Sequence, residues 1–479
     1  MLEDAEALRK TVHKATARSH KSTLGQFMTN ARVAKFMAGL FRGDPVGELR
    51  ILDPGAGLGA LSCAVLERFP EQIQNAAVEA WELDDRLARH LDVTLGKYAA
   101  LGATVRVQRG DFLEGSEAVP NFTHCCMNPP YKKINTGSSA RSHARRFGVE
   151  TVNLYSAFVA AALAQMKSGG QVVAIIPRSF ANGPYYKPFR EFVLAHAAIH
   201  HIHIFESRQK AFSDDDVLQE NVILLLERGG VQGDVTLSKS SDDTFEDLEE
   251  RQFEFREIVQ VRDPESFIHM PSNSLDPLAG LGFSTALAEL GISVSTGPVV
   301  DFRHRGDLRA MPETGTAPLL YAQHFRGKEM RWPDPDAKKP NAIAVNDETR
   351  RWLLPAGSYL VLRRFSSKEE KRRLVASMLD GSHLSGYELV GIENHLNFFH
   401  AAKQPIPSDL AWGLFVYLNC TQLDEHLRRF SGHTQVNATD LRNIRYPNRE
   451  TLEQWGKWAR GVESLDQARM DAKVGESAQ

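Results

Sequence analysis

The run from Arg50 to Leu61 (RILDPGAGLGAL) restricts the fold of this chain more than any other stretch. An apolar strand leads directly into Gly55, Gly57 and Gly59 and then into a helix start. Such a turn lets backbone approach a ligand closely at a helix N-terminus, as in the first strand-turn-helix of an open α/β sheet. The pattern then recurs. Ala76 to Asp85 reads as a second strand ending in Glu82, and Ala103 to Gln108 as a third, ending at Gly110, Asp111 and Phe112. Phe122 to Met127 reads as a fourth, ending at Asn128, Pro129, Pro130 and Tyr131. Four strands thus carry candidate ligand residues at their carboxyl ends, where open α/β sheets bind ligands.

Each strand end suggests its own chemistry. Glu82 stands where a ribose diol would be held, and Asp111 could accept the exocyclic amine of an adenine with Phe112 beside the ring. The glycine loop does not meet the strict phosphate-binding spacing. Asp53 before it suits a cofactor with an amino-acid portion better than a pyrophosphate. At the fourth end, two prolines remove two backbone donors and keep the carbonyls of Asn128 and Pro129 out of any helix or ladder. An amide, free carbonyls and an aromatic ring together suit a planar amine. Taken alone, the same residues also read as a plain turn with a core tyrosine.

Upstream, Leu24 to Asn30 leads into a helix over 31–41 with apolar Val33, Phe36, Met37, Leu40 and Phe41 at helical spacing. Thr29 or Asn30 is its expected N-cap. Residues 1–22 read as a polar helix without chemistry.

With 479 residues the chain has room for two or three domains, and 42% hydrophobic and 24% charged residues are ordinary for a globular protein. No apolar run approaches the roughly 18 to 20 residues of a membrane span, and the N-terminus is no signal peptide. The cysteines at 63, 125, 126 and 420 form no CxxC pair, so neither a zinc site nor a disulfide framework is expected. A cytoplasmic, reducing location follows. The net charge is only −3, but it is uneven: residues 241–270 hold ten acids against three bases, and residues 291–450 hold 22 bases against 18 acids. A basic C-terminal half is compatible with DNA binding through a local patch.

In the order of these motifs the chain resembles the S-adenosylmethionine-dependent DNA adenine-N6 methyltransferases in which the cofactor region precedes the catalytic motif. The match covers about residues 23–228. The resemblance implies a Rossmann-like class I methyltransferase domain, α/β in class, with S-adenosyl-L-methionine as cofactor and no metal. It assigns Thr29, Asp53, Gly55, Gly57, Glu82, Asp111 and Phe112 to the cofactor, and the catalytic motif to Asn128, Pro129, Pro130 and Tyr131. Phe212, in a segment resembling the family's hairpin, is the expected second aromatic against an extruded base. Asn30 departs from the family, which usually has proline there.

Gly291 to Val300 and Ser431 to Pro447 resemble the ends of target-recognition domains in type II restriction-modification methyltransferases, including those akin to the PstI and BsuBI enzymes. The implied organisation is a catalytic domain at 1–240, an acidic connector at 241–289, an α+β target-recognition domain at 290–450 and a charged tail at 451–479. Double-stranded DNA is the implied partner, together with a cognate restriction endonuclease in the same bacterial or archaeal cell. The protein itself is expected as a monomer or weak dimer. Gln435, Asn437, Arg442, Arg445, Arg363, Arg364 and Lys371 to Arg373 are candidates for base or phosphate contacts. The basic segment from Lys132 to Arg146 reads as a flexible loop where a DNA backbone would pass. His201 and His203 alternate with Ile202 and Ile204, which reads as a strand rather than a metal site. The acids around Asp334 lie between prolines and read as a loop rather than a nuclease site. Three rivals stay open: a cytosine-N4 methyltransferase, an enzyme acting on RNA or on a protein glutamine, and a DNA-binding specificity subunit with a silent catalytic half.

Overall fold

A computed structural model describes the chain except residues 16–27, 46, 136, 206–219, 261–262, 272–277, 279–280, 327–328, 367–369, 431–434 and 477–479. The chain divides into two compact units, Met1–Met270 and Pro271–Gln479.

The first unit is built on one nine-stranded sheet. In chain order its strands are β1 (Arg50–Pro54), β2 (Ala77–Glu82), β3 (Thr104–Arg109), β4 (Phe122–Met127) and β5 (Met166–Pro177). They are followed by β6 (Ala197–Phe205), β7 (Asn221–Arg228), β8 (Val235–Ser240) and β9 (Glu249–Phe253). The order across the sheet is β3-β2-β1-β4-β5-β7-β6-β8-β9. Strands β1 to β5 are parallel, while β7 runs antiparallel between β5 and β6.

The central strands β1, β4 and β5 are apolar on both faces, as the covered part of a parallel sheet must be. Leu52, Cys125, Val172 and Ala174 join one core cluster, and Ile51, Cys126, Val173 and Ile175 join another. Helix α1 (Leu2–Ala15), α2 (Ala31–Gly39), α3 (Ala60–Arg68), α4 (Asp85–Ala99) and the single turn α5 (Phe112–Gly115) precede β4. Next come α6 (Ser139–Arg146), α7 (Leu154–Gln165), α8 (Lys187–His196) and the short α9 (Phe255–Ile258). The run LYSAFVAAALAQ makes α7 apolar nearly all round, and almost all of it is buried. By contrast α4 buries a single stripe, Leu87, Leu91, Leu95 and Tyr98.

Two expectations change here. The acidic connector begins inside the first unit, because β9 pairs with β8, joining Val235 to Phe253. Phe267, Ile268 and Met270 are buried, and the Arg190 guanidinium donates to the Glu265 carbonyl at 3.0 and 2.7 Å. The acids of this stretch lie on its exposed side, so charge alone suggested a linker where the apolar residues make an edge. The segment after Pro130 also differs from a flexible loop. Residues Ser139–Arg146 form α6, with Arg141 and Arg145 both paired to Glu150 and Arg146 donating to the Leu113 carbonyl.

Strand β6 carries a directional polar chain. His201 Nε2 lies 2.6 Å from Ser238 Oγ, which lies 2.8 Å from His203 Nδ1. His203 Nε2 lies 3.2 Å from Ser240 Oγ, whose hydroxyl donates to the Asp242 carbonyl. One proton per link satisfies the chain with both imidazoles neutral. Burial lowers His201 to about 4; burial, then the neighbouring His201, lowers His203 to about 3. The unfolded chain takes up protons below about pH 6.5 that the folded chain refuses, so this contribution to stability is lost as pH falls toward 4. His203→Gln should therefore melt lower at pH 7.5 but lose less stability than wild type between pH 6.5 and 4, measured by denaturant titration. Buried Asp53 and Asp440, raised to about 7 and about 6, act in the opposite sense as pH rises, which the paired comparison cancels.

The second unit is α+β. Strands β10 (Ser293–Thr296), β11 (Leu308–Arg309), β12 (Thr316–Leu320), β13 (Phe325–Arg326) and β14 (Glu329–Met330) lead to β15 (Ala342–Ala344) and β16 (Leu354–Pro355). Next come β17 (Tyr359–Arg363), β18 (Ala376–Leu379), β19 (Leu389–Ile392) and β20 (Leu396–His400). They form sheets ordered β10-β20-β17-β18 and β11-β15-β12-β19-β16, with β13 and β14 as a separate pair. Among the described residues five helices follow: α10 (Ser408–Leu418), α11 (Thr421–Phe430), α12 (Ala438–Asn443), α13 (Arg449–Gly461) and α14 (Gln467–Gly475). The expected charged tail is part of this unit's core, with Leu452, Trp455, Met470 and Val474 buried.

Candidate active site

The carboxyl ends of β1, β2, β3 and β4 open on a cavity of about 420 Å³. Gly55, Gly57, Glu82, Asp111, Phe112, Asn128 and Thr29, all expected from the sequence, line it together. Residues spread over a hundred positions meet because parallel strands place every carboxyl end on one edge.

Glu82 is 3% exposed, and both its oxygens hold backbone: Oε2 accepts from Gly57 N–H at 2.8 Å and Oε1 from Asp84 N–H at 2.8 Å. Its carboxyl is raised above the ordinary range, chiefly by burial. The loop that Glu82 clamps has φ of 80°, 58° and 87° at Gly55, Gly57 and Gly59, a region that favours glycine. Asp53 does not line the cavity. It is buried beneath the loop, where Oδ2 accepts from Ser62 N–H at 3.2 Å and Ser62 Oγ–H at 2.6 Å. Its second oxygen is buried without a partner, and burial, reinforced by Glu82, raises the carboxyl to about 7. Asp53 thus ties β1 to the first turn of α3 and shapes the loop from behind. Asp111 caps α5, Oδ1 accepting from Leu113 N–H at 2.8 Å, and Phe112 lies between Trp81 and Phe158 with centroids at 5.9 and 5.2 Å.

Asn128 is held from two sides. Its Nδ2 donates to Thr29 Oγ1 at 3.0 Å, and its Oδ1 accepts from the Tyr131 hydroxyl at 2.9 Å. That hydroxyl also lies 3.1 Å from the Ile175 carbonyl, so one proton serves two acceptors. Burial keeps the Tyr131 phenol well above its ordinary range and protonated. Pro130 lines the cavity, whereas Pro129 and Tyr131 do not. Tyr131 stands edge-on to Tyr155 at 6.2 Å and braces the amide, a placement other than the stacking face expected from the sequence. Phe212 lies outside the described residues.

Several lining residues were not foreseen. Lys132, Lys133 and Ser138 come from the segment after Pro130, and Trp81 and Phe158 supply apolar wall. Arg9, from the helix read as devoid of chemistry, also lines the cavity. A Glu6 and Arg9 pair at helical spacing was visible in the sequence, but its burial was not.

In the second unit the polar candidates divide. Arg373 is fully buried, with its backbone N–H on Asp424, and Asn437 is the N-cap of α12. Arg372 donates to the Leu374 and Cys420 carbonyls. These three build the unit rather than its surface. Lys371, Arg442 and Arg445 are exposed, and Arg363, Arg364 and Gln435 are partly so. Asp334 is buried in a turn closed by Asn341.

Residues 101–212 match the family of Eco57I restriction-modification methylases. The whole chain is similar to the type II methyltransferase M.BsuBI of Bacillus subtilis, 44% identical over 99% of this chain and 98% of that protein. It is also similar to the type II methyltransferase M.PstI of Providencia stuartii, 40% identical over 94% of this chain and 92% of that one. Among solved structures, the type IIL restriction-modification enzyme MmeI in complex with DNA shares the fold, with a TM-score of 0.55 at 10% identity over 100% of this chain and 73% of that one.

Proposed function

The chain belongs to the type II restriction-modification methyltransferases, and from that premise we propose that it methylates N6 of adenine within a specific double-stranded DNA sequence. S-adenosyl-L-methionine is the methyl donor, and it supplies the electrophile as a sulfonium-bound methyl. One observation carries the adenine reading: the Asn128 amide is fixed at the rim of the cavity that Glu82 and Asp111 also line. The fit to the cofactor is chemical. Two strand-end carboxylates accept from hydroxyls and an amine, Phe112 offers a ring face, and the glycine loop leaves room for close approach.

The N6 lone pair is delocalised into its ring and is a weak nucleophile. Acceptance of the amine hydrogens by Asn128 Oδ1, and by the Pro129 carbonyl after a shift that brings it to the cavity it does not line here, would localise that pair toward the methyl. Thr29 and Tyr131 prevent the amide from turning its donor toward the base. Tyr131 can transfer its donation from Oδ1 to the Ile175 carbonyl as the base enters. Catalysis on this reading is positioning and preorganised hydrogen bonding. The base must leave the helix, at a cost of a few kcal/mol offset by stacking in the site. Phe212 and Tyr131 remain the proposed aromatic partners for the base, with Tyr131 needing a rearrangement to stack. Methylation would protect the sequence from a cognate restriction endonuclease.

The test is modified-base sequencing of DNA from cells expressing the chain. N6-methyladenine at one recurring sequence is the expected result; N4-methylcytosine in its place would overturn the assignment to adenine.

Residues 271–479 are the proposed sequence reader, with Arg364, Gln435, Arg442 and Arg445 as surface candidates. Exchange of this unit at the 270/271 boundary for that of a related methyltransferase should move the methylated sequence with it. Retention of the original target would shift the reading role to the first unit.

A further inference from the structure

The cofactor end of the cavity contains a charge that no strand-end motif accounts for. Arg9 is only 5% exposed, yet it lines the cavity. Its Nε and Nη2 donate to Glu6 at 2.9 Å each, a two-pronged pair that fixes the guanidinium plane. Glu6 Oε2 also accepts the N–H of Ala31, the first residue of α2, at 3.1 Å. The pair is therefore anchored two residues from Thr29, whose hydroxyl holds Asn128. The helix itself is pinned to its neighbours, Leu2 N–H to Glu67 on α3 at 2.8 Å and Asp4 to Lys97 on α4 at 2.6 Å. Ala5, Met28, Thr29 and the glycine loop line the same cavity, none of them cationic. Lys132 and Lys133, the other lining cations among the described residues, come from the segment after Pro130.

A buried guanidinium is costly unless it is paired and hydrogen-bonded, and its planar fork matches a carboxylate. Glu82 and Asp111, the lining carboxylates, suit hydroxyl and amine donors and would repel an anion. We propose that Arg9 binds the α-carboxylate of the cofactor's amino-acid portion, with Glu6 as the residue that positions it. Helix α1 then forms one end of the cofactor site instead of serving as a polar cap. This inference rests on the reading of the cavity as the S-adenosylmethionine site.

The test compares two ligands by calorimetry on the full chain. S-adenosylhomocysteine carries the amino-acid portion; 5′-methylthioadenosine has the same nucleoside and sulfur without it. Arg9→Met should lose about 10-fold or more in affinity for S-adenosylhomocysteine, the range of a charge-assisted hydrogen bond, while 5′-methylthioadenosine binds within about twofold of wild type. Arg9→Lys should fall between, since a point charge replaces a fork. Equal losses on both ligands would show that Arg9 only braces the cavity, and unchanged S-adenosylhomocysteine affinity would remove it from the site; either overturns the proposal. Asp111→Ala, at the nucleoside end, should weaken both ligands. If it weakens neither, the cofactor reading of the cavity itself has failed.

Discussion

Asn128→Ala is expected to slow methyl transfer on the order of 100-fold or more, the usual cost of one preorganised acceptor or donor at a reacting centre. Cofactor affinity should stay near wild type, because the carboxylates Glu82 and Asp111 stand at the ends of other strands, held by Gly57, Asp84 and Leu113 N–H groups. The structure adds two companions to this expectation. Thr29→Val removes the acceptor that holds Nδ2, and Tyr131→Phe removes the hydroxyl that holds Oδ1. Each should reduce the rate less than Asn128→Ala does, since the amide remains and only its orientation is loosened. Single-turnover transfer with saturating cofactor and DNA is the measurement. Near-normal turnover by Asn128→Ala would remove the amide from the chemistry. A Thr29→Val variant as slow as Asn128→Ala would mean that orientation carries nearly the whole effect.

The largest expected loss of stability lies in the second unit. A Cβ at Gly456 on α13 would stand 1.7 Å from the Asp409 carbonyl oxygen on α10, and one at Gly413 would stand 1.9 Å from that of Leu452. The two helices approach backbone to backbone, so no rotamer change relieves the overlap. Gly456→Val must push α13 away and uncover Leu410, Leu414, Leu452 and Trp455, all buried in one cluster. Overpacking a well-packed core costs about 1–3 kcal/mol when side chains and backbone can shift, and a clash with main chain belongs above that range. Denaturant unfolding of Gly456→Val should show at least that loss, with sequence-specific methylation abolished. Cofactor affinity should survive, because its residues lie in the first unit. A variant of wild-type stability would mean that the helices separate at little cost.

Strand ends were legible because strand period and glycine turns are local properties. Asn128 follows the buried apolar run Phe122–Met127, Glu82 ends β2 and Asp111 comes just after the alternating edge strand β3, and parallel topology brings such ends to one edge. The boundary at 270 was not legible, because it depends on β9 pairing with β8 rather than on composition. Nor was the split among the basic residues of the second half. Lys371 and Arg373 are equally charged in the sequence, yet one is exposed and the other fully buried.

The sequence by itself determined the class of fold and the motif order, and local spacing put Glu82, Asp111 and Asn128 at strand ends. Asp53, Pro129 and Tyr131, by contrast, stay off a cavity that Arg9, Trp81 and Phe158 join. Only the tertiary structure decided what those side chains do there. Asp53 turned inward to Ser62, Tyr131 became the brace of an amide, and Arg9 arrived from a helix at the far end of the unit's sequence. The physical reason is that hydrogen-bond partners are chosen by distance in space. Thr29 and Asn128 are 99 positions apart and 3.0 Å from each other, and no periodicity in a sequence encodes that approach.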